Sequence, residues 1–262
     1  MKPINSQEHC IENWGLGGMI RKPSVSVIWE FWLDSYQPEI EDLREALFEQ
    51  LFASLPDASQ KADELLNSFE GKVFPDEYGD YATESAAELY DRLTSVRQAV
   101  LNMATVMLWH LLEQQVLSLY RLQLVYLPKL NEFQASTGSN KHQNPRYFCD
   151  VKDQLIHVGI DVETLPSYKK LDELRLVANS VKHGKGNAAE QLFEQRADLF
   201  AHPDSSVKGG TVSPQPEDIE RPAAGNGIYV TIEDLAGYFD VAVSFWNEFG
   251  KMIERCNCPE NE

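Results

Sequence analysis

The sequence predicts an all-α fold: a bundle of four main helices with an additional N-terminal helical region and a long insertion before the last helix. Apolar residues recur at three- and four-residue spacing in each extended segment. One of these runs is long enough to be the central rod of a bundle. Proline or glycine stands where several runs stop, at Pro56, Pro128 and Gly184. With 262 residues, 43% of them apolar and 24% charged, the chain can bury a full core as one large or two small domains.

Val25, Ile28, Trp29, Trp32 and Leu33 give the first run one broad apolar face, and Pro38 is expected to end it. Ile40, Leu43, Leu47, Leu51 and Phe52 line a second helix that stops before Pro56, and a weaker third spans about residues 58–69. Residues 71–80 read as a turn-rich connection. The long helix runs from Thr83, a candidate cap, to Tyr126, and Pro128 closes it. Between Leu101 and Leu112 its opposite side is apolar too, so it is expected to serve a homodimer interface as well as a core. His110 and Glu113, three residues apart on this rod, are expected to share a structural hydrogen bond.

Polar residues 131–144 make a loop, and a helix follows from Tyr147 to Val158. The next begins near Ser167, carries Leu171, Leu174, Val177 and Val181 inward, and ends at the capping residue Gly184. Its exit opens an insertion over 185–230 whose prolines and Gly209-Gly210 predict a flexible excursion, with a short helix near 188–200. Thr231 and Asp234 have the spacing of a capping pair for the last helix, which carries Leu235, Phe239, Trp246, Phe249 and Ile253.

Charge is unevenly placed. The whole chain holds 23 Lys and Arg against 41 Asp and Glu, a net of −18. Residues 1–100 contribute 8 and 19 of these, which marks 1–79 as an acidic helical annex beside a bundle over 80–262. Such a surface repels nucleic acid and anionic membranes at long range and favours a cationic protein partner. The start of the chain has no signal-peptide pattern, and four cysteines are few for this length, so a reducing, cytoplasmic location is expected. Cys256 and Cys258 lack the two further neighbours a zinc site needs, and no metal or cofactor is expected.

One segment asks for chemistry: residues 174–184, LRLVANSVKHG. Arg175, Asn179 and His183 are four apart in turn and project along one stripe at the end of a helix. Lys182 and Lys185 add positive charge, and residues 167–196 hold 6 Lys and Arg against 4 Asp and Glu inside the acidic chain. Two explanations stand for His183: a cation at a helix C-terminus, which the dipole favours, or a member of a binding or catalytic cluster.

Four main helices with Asn-x-x-x-His near the end of the third resemble the HEPN superfamily of helical proteins. Many of its members are metal-independent endoribonucleases of toxin, antiviral-defence or RNA-processing systems, and others are inactive binding modules. The family signature is an arginine, a polar residue and a histidine, with four to six residues between arginine and histidine. His183 matches the histidine and Asn179 the polar residue. Ala178 stands at the expected arginine position, and seven residues separate Arg175 from His183.

The resemblance leaves two readings. In one, the chain is a helical interaction or scaffold protein of a bacterial defence or regulatory complex, its nuclease chemistry weakened or lost. In the other, it is a metal-independent endoribonuclease with His183 as acid/base, Arg175 stabilising phosphate charge, Asn179 assisting, and Lys182 and Lys185 holding RNA. A nucleotide-binding phosphate loop has no support, since Gly184-Lys185-Gly186 lacks its remaining elements.

Overall fold

Apolar spacing becomes helix through most of the computed structural model, which describes residues 25–69, 77–124, 130, 145–203 and 215–257. Helix α1 spans Val25–Glu45 and continues through Pro38. A π-helical turn, Ala46–Leu51, and a final turn, Phe52–Ser54, extend it to Pro56. The break expected at Pro38 is absent. Pro38 and Asp34, one turn earlier, are both exposed, so water reaches the carbonyl that Pro38 leaves without a donor.

Helix α2, Ala58–Asn67, begins at Asp57, whose carboxylate accepts the Gln60 N–H at 2.9 Å. The rod, α3, spans Glu77–Leu122 and starts before Thr83. Thr83 is no cap; its hydroxyl donates to the Gly79 carbonyl one turn back at 3.1 Å. The ends expected at Tyr126 and Pro128, and the loop at 131–144, lie outside the described residues. Leu101, Ala104, Leu108 and Leu112 of α3 are buried, while Met103 and Met107 remain exposed.

Helix α4 is Phe148–His157, α5 is Tyr168–His183, α6 is Asn187–Gln195 and α7 is Ile232–Asn257. Gly184 ends α5 at φ +71°, a conformation that favours glycine. The capping pair of α7 is reciprocal: Asp234 N–H donates to Thr231 Oγ1 at 3.0 Å, and Thr231 N–H donates to Asp234 Oδ2 at 3.1 Å.

Helix α1 packs into the bundle. Ile40, Leu47 and Phe52 share one hydrophobic cluster with Leu108, Leu174 and Phe239. Buried Gln115 of α3 ties three helices together. Its amide donates to the Tyr36 carbonyl at 3.1 Å and to Glu39 at 2.9 Å, and its oxygen accepts the Trp246 indole N–H at 2.9 Å. Among the described residues, no helix is long and apolar enough to cross a membrane.

The described flanks of the insertion expected over 185–230 are packed. Leu192, Leu199, Ile219, Ile228 and Val230 are buried. Fully buried Asn102 of α3 donates to the carbonyls of Pro222 and Ile228, at 2.7 and 2.9 Å. Gly225 at φ +84° lies so close to α3 that a Cβ there would meet the Ser95 carbonyl oxygen at 2.1 Å. Asn102 interrupts the apolar run of the rod because it binds this segment. Residues 204–214, which include Gly209-Gly210, lie outside the described residues.

Candidate functional site

Burial of Leu171, Leu174, Val177 and Val181 fixes the rotation of α5 and turns a polar stripe away from the core. Arg175 and Asn179 are half-buried on that stripe, and Lys182 and His183 are exposed. The turn through Gly184 and Gly186 brings Lys185 and the first residues of α6 to the same place. Arg175, Asn179, Lys182, His183 and Lys185 line one cleft of about 500 Å³. All five residues singled out from sequence therefore meet.

The opposite wall is built from α3 and the start of α4: Trp109, Glu113, Tyr147, Phe148 and Cys149. Glu113 accepts the Phe148 N–H at 3.1 Å, which docks the first turn of α4 on the rod. That bond stands where a His110–Glu113 pair was expected, and His110 is exposed. Asp150 accepts the N–H groups of Arg146 and Tyr147 at 3.0 and 3.2 Å. Trp109 packs edge-on against Phe148, with ring centroids 5.6 Å apart. Sequence spacing gave no signal for this wall, because Glu113 and Phe148 are joined only by tertiary contact.

Ala178, where the family signature places its arginine, is fully buried in the core. Arg175, one turn earlier on α5, lines the cleft. Arg175 Nε donates to Asp172 at 2.6 Å, which leaves its two terminal nitrogens free of bonds to other described residues. The side chains of Asn179, Lys182, His183 and Lys185 have no hydrogen-bond or ion-pair partner among the described residues. Gly186 gives the N-terminus of α6 no side-chain cap, so the positive end of that helix faces the same space. Among the described residues that line the cleft, Glu113 is the one carboxylate. In a chain of net charge −18, the cleft is a positive island.

Its chemical capacity is narrow. Several donors can hold one anion, and histidine is the side-chain type that exchanges a proton near neutrality. Burial, with nearby Asp150, pushes the Cys149 thiol up from its ordinary value, which disfavours a thiolate nucleophile. Among the described residues, no group of three or more His, Cys, Asp and Glu could hold a metal ion. No protein-family model, curated protein or solved structure matches the chain.

Proposed function

We propose that the cleft holds an RNA phosphodiester and that the chain is an HEPN-like, metal-independent endoribonuclease acting through His183. One observation carries this reading: Asn179, Lys182, His183 and Lys185, with no partners among the described residues, converge with Arg175 on one cleft of an acidic protein. Several cationic donors converging on one cleft are what a bound phosphate requires. His183 takes the proton of a 2′-hydroxyl as its oxygen attacks phosphorus. The bond to the 5′ oxygen breaks, a 2′,3′-cyclic phosphate forms, and the departing oxygen takes a proton from the protonated histidine or from water. Arg175 and Lys182 offset the charge that builds on the phosphorane, and Asn179 orients the phosphate.

A different observation favours the scaffold reading. Val96, Met103 and Met107 of α3 are 52%, 42% and 48% exposed, and their spacing of seven and four residues places them along one face. That stripe would bind a second copy of the chain or another protein, and His183 would then be only a cation at a helix end. The two readings separate in one assay. Wild-type protein should cleave single-stranded RNA in the presence of a chelator, and H183A should lose cleavage while keeping its helical signal and its mass in solution. RNA left intact by the wild type, with M103E or M107E abolishing self-association, would favour the scaffold.

A further inference from the structure

The two walls of the cleft differ in chemistry, and the difference bears on what kind of strand it takes. The wall from α5 and α6 is cationic. The other presents Tyr147, which is 59% exposed although it is a large aromatic side chain. Trp109 and Phe148 behind it are 2% and 6% exposed; they support the wall and offer no free ring face. The Tyr147 backbone is pinned by the Asp150 carboxylate, and the next residue is pinned by Glu113. An aromatic ring held by its backbone, open to solvent and lining the same cleft as Arg175, Lys182 and Lys185, joins the two elements of single-strand recognition: a stacking surface and phosphate donors.

We infer that Tyr147 is a nucleobase-stacking platform, so that the cleft takes one unpaired nucleotide, base on Tyr147 and phosphate against Arg175, Lys182 and Lys185. The inference rests on the RNA reading of the cleft and narrows it to single strands. A base inside a duplex is already stacked on both faces and cannot reach the ring without leaving the helix.

The test measures binding, so it does not depend on cleavage. A short labelled 2′-O-methyl RNA, whose blocked hydroxyl prevents attack, is titrated with the full chain by fluorescence anisotropy. Y147A should bind about tenfold more weakly, in the range of one lost base–aromatic stack, and Y147F should bind like the wild type. An abasic strand of equal length should bind the wild type about as weakly as the normal strand binds Y147A. Because Tyr147 lies outside the core, circular dichroism should show Y147A folded. Equal affinity of wild type and Y147A, or of single strand and duplex, overturns the inference even if RNA is cleaved through His183. Tyr147-dependent binding by a protein that cleaves nothing supports the platform and removes the catalytic reading.

Discussion

Two polar clusters meet on α5, and they differ in how their bonding capacity is used. Around Glu173 it is spent. Buried Glu173 accepts from Lys170, from Arg196 at 2.6 Å and from the Tyr238 hydroxyl at 2.7 Å. Arg196 also donates to Asp198 and to Asp234, the latter at 2.9 Å, and Asp234 in turn caps α7. Burial and the neighbouring Glu173 push the Tyr238 phenol up, which keeps it a donor. Two turns further along, Asn179, Lys182 and His183 have no partners among the described residues. Both clusters look alike in sequence, as scattered charges on one helix. The first cluster is centred on buried Glu173 and its bonds lock helices together; the second lies at the surface of the cleft, where its donors stay open to solvent or to the proposed ligand.

The largest effect is expected where the bonding is complete. E173A should destabilise the fold by about 3 kcal/mol, because it removes one of the three carboxylates around Arg196 and leaves the buried Tyr238 hydroxyl without its acceptor. Chemical denaturation checks this, and a loss no larger than that of an exposed substitution would remove the distinction. Q115L should cost about 2 kcal/mol by leaving the buried Trp246 N–H unpaired, read in the same way.

Acid should act on the saturated cluster too. Burial alone would raise the Asp234 carboxyl, but bonds from Thr231 and Arg196 outweigh it and hold it below its ordinary 3.8. Asp198 is lowered as well, chiefly by its bond from Arg196. A carboxyl with a depressed folded-state value contributes stability above its unfolded value and loses it as pH falls through the folded one. Melting temperature should therefore drop below about pH 4, and less so in an R196M variant, which has already lost the pair. An equal drop in both would exclude this cluster as the cause.

These networks explain how much was legible beforehand. Periodicity located the helices because burial imposes it, and the Thr231–Asp234 cap was readable because both partners are local. Pro38 misled because its effect depends on which side of α1 faces water. The packed flanks of the insertion were hidden for a related reason: Asn102 looks like a flaw in an apolar run until its partners, more than a hundred residues away, are known. The cationic half of the cleft was visible as a stripe of i, i+4 residues. Its aromatic half comes from α3 and α4, and nothing in the sequence sets Trp109 beside Phe148.

The smallest effect on stability is expected in the cleft. N179A, K182A and H183A should each change it by no more than about 0.5 kcal/mol, the range of surface substitutions without special roles. A loss of 2 kcal/mol in any of them would mark that side chain as a partner in the fold. It would also end the case for a ligand at that position.

Phosphate binding by the cleft is tested most directly by the salt dependence of affinity for a non-cleavable single-stranded RNA, wild type against K182A/K185A. Each cation that contacts a phosphate contributes about 0.7 to the slope of log affinity against log salt. The double variant should bind more weakly at low salt, with a slope shallower by about 1.4, and its stability should be unchanged. Identical affinity and slope for the two proteins would contradict the proposal that these lysines hold phosphate.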